Sequence, residues 1–366
     1  MDIRLENVLE YEQPTKYIVK SENYSDDFAL PVLTAGKSFV LGFTDETDGI
    51  CKASESPVII FDDFTADCKY VDFDFKVKSS AMKILHKANT EDNLKYYFYA
   101  MQAIDYTPFS HKRVWISEYS KFKIKNRSIA EQNNIVKELD TVATAIDNAK
   151  QRLNALDELV KSRFIEMFGD IRISSIFPNI ALENFAQIGS SKRVHAADYV
   201  ESGVPFYRSK EIIELGNGQE PSVELFISKK QYESIKKTNG VPCKGDILMS
   251  AVGTIGKMWI VDGRKDFYYK DGNIISIHSE ETNPIYLKEA LANLIDDFKS
   301  ANVAGSAYSA LTIVKLKKMT VPMPPMSIQN EFADFVKLID KSKFIVQKQI
   351  DDLQELLDSK MDEYFG

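Results

Sequence analysis

Two stretches of the chain repeat one pattern of apolar and polar positions. In Gln132–Gly169 apolar side chains recur at Ile135, Leu139, Val142, Ile146, Ala149, Leu153, Leu156 and Val160. In Gln329–Gly366 the matching positions are Phe332, Val336, Ile339, Lys343, Val346, Ile350, Leu353 and Leu357. Steps of four and three alternate, which is the seam of a heptad repeat. Neither stretch has an internal glycine or proline before its last residue. The spacing predicts two long helices with narrow apolar stripes, each of roughly 36 residues and about 54 Å. Lys343 interrupts the second stripe, and a charge there is expected to fix helix register. Ser128 and Ser327 are candidate caps, the latter at the end of the proline-rich "VPMPPMS". Gly169 suits a left-handed stop.

The two stretches align without a gap. Gln132-Asn133 matches Gln329-Asn330, and Phe168-Gly169 matches Phe365-Gly366. A globular segment precedes each, so the expected organisation is 1–125, a helix over 126–170, 171–321 and a helix over 322–366. That is a tandem duplication. The globular halves echo each other faintly. "IRLENV" at Ile3 resembles "IALENF" at Ile180, and "SPVIIFDDFTADCKY" at Ser56 can be set against "GDILMSAVGTIGKMW" at Gly245. This setting places Thr65 near Thr254 and Lys69 near Lys257. Each half reads as mixed strands and turns with one late helix, Asp92–Ile104 and Ile285–Phe298. A repeated scaffold whose faces differ suggests two sites that read different things.

Composition narrows the class. With 366 residues and 44% apolar content the chain is globular and too long for one ordinary core. It has no apolar run long enough to span a membrane and no apolar leader after Met1, and its three cysteines form no C-x-x-C pair. A reduced, cytoplasmic setting is expected. The net charge of −8 alone argues against nucleic-acid binding. Charge is unevenly distributed, however, and a partner can supply further phosphate contacts.

Gly256-Lys257 follows a hydrophobic run, as in nucleotide-binding loops. The first glycine of G-x-x-x-x-G-K-[ST] is replaced by Ala251, and Met258 stands where a hydroxyl is needed. "MWIV" then reads as a strand and not as the required helix. A β-hairpin fits better, with Ile247–Ser250 as one strand, Val252–Gly256 as the turn and Lys257–Val261 as the return. The four histidines, His86, His111, His195 and His278, lack metal-ligand spacing, and no hydrolase or methyltransferase motif is present. No catalytic residue, metal or cofactor is assigned. Asp62-Asp63 could suggest a nuclease pair, but neighbours in a strand point to opposite faces. A carboxylate at a base-reading edge is the alternative.

The domain–helix–domain–helix plan resembles the specificity subunit of type I restriction-modification enzymes. So do "VPFYRSKEI" (Val204–Ile212), "KGDILMSAVGTIGK" (Lys244–Lys257), "GSAYSALT" (Gly305–Thr312) and "VPMPPMSIQNEF" (Val321–Phe332). The resemblance covers nearly the whole chain, and the first half carries a variant of the same module whose helix entry, "IKNRSIAEQNN", lacks the prolines. It implies an α+β fold: two globular mixed α/β target recognition domains separated by two long helices packed as an antiparallel coiled coil. It also implies that each domain reads one half of a bipartite site in double-stranded DNA. The helices would set the spacing and dock two methyltransferase (modification) subunits, and an ATP-dependent restriction subunit would join. Catalysis would belong to the partners. On this reading the DNA-contact candidates are Lys37, Thr65, Lys69, Lys83, Lys112 and Arg113 in the first half. In the second half they are Lys192, Arg193, Arg208, Lys210, Thr254 and Lys257. His111 beside Lys112-Arg113 belongs to the same loop. The rival reading is a non-catalytic coiled-coil scaffold with two protein-binding domains.

Overall fold

The computed structural model describes residues 2–36, 38–109, 112–170, 174–303 and 311–366. The chain forms two compact units, Met1–Gln151 with Val346–Gly366, and Arg152–Ile345. Each unit therefore joins a globular body to parts of both long helices. The helices run over Ile129–Phe168 and Met326–Phe365. The stripe residues of the first part are buried, among them Leu139 and Ala149, and so are Phe332, Val336 and Ile339 of the second.

Within each unit the two helical parts are antiparallel. In the first, Lys125 Nζ donates to Gly366 O at 2.6 Å, while Glu138 meets Lys360 Nζ at 2.6 Å. In the second, Arg163 reaches Glu331 at 3.2 Å and Lys343 pairs with Asp157. Lys343 thus meets an acid on the facing helix, as a register-fixing charge should.

The helix starts differ in chemistry. Ser128 caps the first helix in a box with Glu131, whose Oε2 accepts from Ser128 N at 2.9 Å. The second helix begins at Met326, so Ser327 lies inside its first turn and is not a cap. Pro325 O accepts from Ile328 N at 3.0 Å there instead. Proline has no N–H to lose at this position, so the proline-rich lead replaces the polar cap.

The globular bodies repeat one topology. In the first unit an antiparallel sheet has the order Leu9–Glu12, Met82–Lys87, Val58–Asp62, Cys68–Val71. In the second the order is Gln187–Gly189, Ile274–His278, Ile247–Ser250, Met258–Ile260. A second sheet also recurs. Leu30–Leu33 pairs antiparallel with Val40–Thr44 and parallel with Lys76–Val77. Val204–Tyr207 likewise pairs with Phe226–Ile227 and with Tyr268–Tyr269. Even the "LEN" echo is structural, forming a 3-10 turn at Leu5–Asn7 and at Leu182–Asn184.

The central strands explain the unbroken apolar runs "VIIF" and "ILM". Val58 and Ile60 enter the core shared with the second sheet, while Ile59 and Phe61 enter the core under the late and long helices. Leu248 faces one core of the second unit, and Ile247 and Met249 face the other. A strand covered on both faces has no polar side to display.

The late helices span Leu94–Gln102 and Pro284–Val303. The first starts two residues after the expected Asp92 because Asn93 caps it, accepting from Lys95 N at 3.0 Å. The second unit also has helices at Ser209–Gly216 and Lys229–Thr238, which the reading of one late helix per half did not anticipate.

The Phe-Gly repeat ends each helix on an aromatic contact. Phe168 is fully buried, 4.8 Å from the Tyr286 ring and 5.3 Å from Phe332. Phe365 lies 5.3 Å from Tyr96 in the first unit. Gly169 has φ of 85°, the left-handed stop expected of it. Phe168→Ala is expected to cost about 3–5 kcal/mol. It should lower the thermal midpoint reported by Trp259 fluorescence, and an unchanged midpoint would refute the anchoring role.

Candidate nucleic-acid interface

In the first unit the hairpin Val58–Asp62/Cys68–Val71 is closed by its two aspartates. Asp62 Oδ1 accepts from Phe64 N at 2.8 Å and from Thr65 N at 3.2 Å, which turns the chain. Ala66 completes the turn at φ 64°. Asp63 points the other way and is 1% exposed. Its Oδ1 accepts from Val114 N at 3.1 Å and Trp115 N at 2.8 Å, and its Oδ2 lies 3.5 Å from Lys83 Nζ. Both carboxylates are thus spent on shaping the hairpin tip, and they do not converge on a shared metal position.

This wiring sorts the first-half candidates. Thr65 is exposed at the tip, and Asp63 draws the segment bearing exposed Lys112 and Arg113 up beside it. Arg113 Nη2 also donates to Ser80 O at 3.3 Å, on the turn that leads into Met82–Lys87. Lys69 is exposed but lies within the strand, behind the tip. Lys83 departs from expectation. It is 2% exposed, held by Asp63, with its ammonium 5.1 Å from the Tyr11 ring centroid, so it presents no charge to a phosphate. A lysine on a central strand can be buried when a carboxylate pairs with it. Lys37, His111 and Gly305–Tyr308 lie outside the described residues.

The Gly-Lys stretch of the second unit is a hairpin. Ile247–Ser250 pairs with Met258–Ile260. Ser250, fully buried, takes the place of Asp62. Its Oγ accepts from Lys257 N at 3.0 Å and donates to Thr254 O at 2.5 Å, while Gly256 N donates to Ser250 O at 2.8 Å. The amides of Ile255, Gly256 and Lys257, which a nucleotide loop would offer to phosphate, are spent inside the turn. Gly256 adopts φ of 82°, and a Cβ there would fall 2.4 Å from Ile295 Cγ2. The glycine is therefore required for close packing on the late helix. Thr254 and Lys257 are exposed.

Strand register corrects one detail of the sequence comparison. Cys68 faces Phe61 and Met258 faces Met249, so Lys69 corresponds to Trp259. Lys257 sits in a longer turn, just before its strand.

The other second-half candidates gather around one segment. Tyr268 OH accepts from Lys192 N at 2.7 Å, and Asp271 Oδ2 accepts from Arg193 Nε at 3.0 Å. Tyr199, Arg208, Ser209, Lys210, Lys270 and Asn273 line a cavity of about 320 Å³. Arg208 Nη2 reaches Glu211 at 2.7 Å and Glu224 at 2.9 Å, and Lys210 shares Glu224 at 3.2 Å. Hydrogen bonding to Glu211, which is fully buried, raises the guanidinium pKa further and holds its plane. Ala251 N donates to Asn273 O at 2.8 Å, tying this segment to the 251–257 turn. The first unit makes the same link from Asp63 N to Ala81 O at 3.4 Å. Each unit thus presents a hairpin tip fastened to a neighbouring turn. Lys270 was not singled out in the sequence, where "YYKDGN" offers only a turn signal.

Comparison with known proteins shows what part of the chain and its fold are similar to. Residues 177–355 match the model of the type I restriction modification DNA specificity domain. The specificity subunit of the Escherichia coli type I restriction enzyme EcoR124I/EcoR124II is 47% identical over 162 residues. That alignment takes in 41% of this chain and 40% of that protein, less than half of either. A putative type I specificity subunit of Haemophilus influenzae, S.HindORF215P, is 24% identical over 78% of this chain and 74% of its own length. In fold, the crystal structure of the S subunit from M. genitalium matches with TM-score 0.57 at 15% identity, covering 100% of this chain and 96% of that one. A chain from a study of type I R-M complex assembly and conformational transition gives 0.53 at 14%, covering 100% and 97%. Over residues 177–355 the chain is thus similar to type I restriction-modification DNA specificity domains, and it shares the fold of solved type I S subunits.

The remaining reactive groups have local duties. His278 Nδ1 lies 2.7 Å from Asp246, and His86 Nε2 lies 3.1 Å from Glu12. Burial pushes the Cys51 and Cys68 thiols up, to about 11 and about 12. Among the described residues there is no group of three or more potential metal ligands, and no helix is long and apolar enough to cross a membrane.

Asp63→Ala would leave the buried Trp115 amide without its acceptor and Lys83 without a counter-charge, while Val114 N keeps the Asp63 carbonyl. It should destabilise the first unit by about 3–5 kcal/mol, with Asp63→Asn milder because an acceptor remains. Urea unfolding followed at Trp115, in a Trp259→Phe background, measures this. Wild-type stability for the alanine variant would mean that Asp63 does not organise the tip.

Proposed function

We propose that the chain is the DNA sequence-specificity subunit of a type I restriction-modification complex, with two different readers on one scaffold. Each recognition domain reads one half of a bipartite target through its hairpin tip and the turn fastened to it. The observation that carries this is the duplication itself. One two-sheet body occurs twice, yet its tips differ: Asp62, Thr65 and Arg113 in one, Ser250, Thr254 and Lys257 in the other. Readers of two different half-sites need a common frame and unlike side chains.

Exposed cations around the tips, Lys112, Arg113, Lys192, Arg193, Lys210 and Lys257, suit phosphates, with Lys69 further back and Lys270 added. Arg208 is held by its glutamates and serves as a fixed donor or as a brace for Lys210. The long helices set the spacing between half-sites and dock two methyltransferase subunits. Exposed Leu338, Phe344 (72%) and Ile345 on the second helix offer apolar surface for such a partner. An ATP-dependent restriction subunit completes the complex. The chain itself catalyses nothing, requires no cofactor and works in the cytoplasm. Its net charge of −8 agrees with a reader that relies on partners for part of its phosphate contact.

The test is to purify the chain with its methyltransferase subunits and map the DNA it directs them to methylate. A split, asymmetric site is expected, and methylation without sequence preference would leave the scaffold reading in its place. Exchanging residues 171–320 for the equivalent domain of a relative should change one half-site only. Lys257→Ala and Arg193→Ala should weaken binding alike on all sequences and lower the salt slope by about one each. Lys83→Met should leave that slope unchanged. Inserting one heptad in both long helices, about 10 Å, should lengthen the preferred gap by about three base pairs without altering either half-site.

A further inference from the structure

The Gln-Asn pair that opens each long helix makes the same bonds twice. In the second unit Gln329 Oε1 accepts from Asn283 N at 2.8 Å, and Gln329 Nε2 donates to Pro324 O at 2.9 Å. Asn283 Nδ2 donates to Asn330 Oδ1 at 2.8 Å. In the first unit Gln132 Oε1 accepts from Asn93 N at 3.0 Å, Gln132 Nε2 donates to Arg127 O at 3.1 Å, and Asn93 Nδ2 donates to Asn133 Oδ1 at 2.8 Å. Each asparagine also caps its late helix, through Lys95 N at 3.0 Å or Ile285 N at 2.9 Å. Three residues after each asparagine, a tyrosine adds a further tie, Tyr96 to Lys125 O at 2.6 Å and Tyr286 to Pro322 O at 2.5 Å.

The glutamines are 1% exposed in both units. A buried amide bonded at both ends has one orientation, and breaking either bond strands a polar group. The late helix clamped in this way also supports the hairpin. Phe98 lies 6.0 Å from Tyr70 of the first hairpin, and Ile295 packs against Gly256 of the second. A continuous path therefore runs from hairpin tip to late helix, to amide clamp, to the first turn of the long helix. The tips have diverged and the clamp has not, so the clamp serves something both halves need regardless of which bases they read.

We infer that Asn93 with Gln132 and Asn283 with Gln329 are positioning residues, which fix the angle of each reading hairpin on its long helix and so set how strictly the complex measures the gap between half-sites. This rests on the specificity-subunit reading. The experiment compares methylation by the assembled complex on duplexes whose gap is native, one base pair longer or one shorter. The variants are Gln329→Met, Gln329→Glu, which keeps the Oε1 acceptor, and the paired surface change Asn133→Ala with Asn330→Ala, which spares the buried amides.

Gln329→Met should reduce discrimination against the wrong gap by up to about tenfold, with the preferred bases in each half-site unchanged. Gln329→Glu should recover part of that loss, and the paired alanines should show a smaller reduction in the same direction. If Gln329→Met fails to fold, the paired alanines decide. Full gap discrimination in every variant that folds would overturn the inference, as would loss of base preference in step with gap preference. A parent complex with no split-site preference would instead remove the specificity reading, and the inference with it.

Discussion

A forty-residue helix with a narrow apolar stripe is stable only when that stripe is covered. Here the cover comes in two kinds. Part of each stripe meets the other long helix, and part meets the globular body beside it, where Leu139 joins the first core and Phe332 the second. The helices end on the same principle. Phe168 completes an aromatic cluster with Tyr286 and Phe332, and Phe365 does so with Tyr96. Each globular body depends on these anchorages, because heptad packing alone fixes the seam but does not hold a body against it.

On that frame two hairpins solve the same closure problem with different chemistry. In the first unit a carboxylate gathers amides, and a second one reaches across to another segment and a buried lysine. In the second a hydroxyl both donates and accepts within its own turn, and two positive-φ glycines supply the curvature. The first solution brings in Lys112 and Arg113 from elsewhere in the chain. The second makes the turn longer and places its lysine within it. A shared scaffold with unlike tips is what the proposed reading of unlike half-sites calls for.

Much of the frame was legible in the sequence because periodicity reports burial directly. The heptad stripes gave both long helices, Lys343 found its acid, and Ile247–Ser250 forms the strand expected of it. The failure of the nucleotide-loop pattern was legible too, since a missing glycine and hydroxyl are visible as letters. The site was less so. Nothing in "FDDFT" says that one aspartate faces a turn and its neighbour a buried lysine, because that depends on which segments the fold brings alongside. Lys83 reads like any surface lysine in "SSAMKIL", and only the packing of Tyr11 and Asp63 around it removes it from solvent. The helices at 209–216 and 229–238 were missed because they are short, and their apolar positions are too few to set a period.

The first compact unit contains the opening 151 residues of the chain and the stretch from Val346 to Gly366. During synthesis the ribosome delivers these parts at opposite ends of the process. The second unit, a continuous stretch, has all of its residues while the first still lacks the strand of helix that carries Leu357, Met361 and Phe365. Until then an apolar groove on the nascent first unit faces solvent, open to chaperones or to the matching helix of a neighbouring nascent chain. Duplicating a module and letting each copy's helix finish on the other's body thus imposes an order on biogenesis: the half translated first is the last to close.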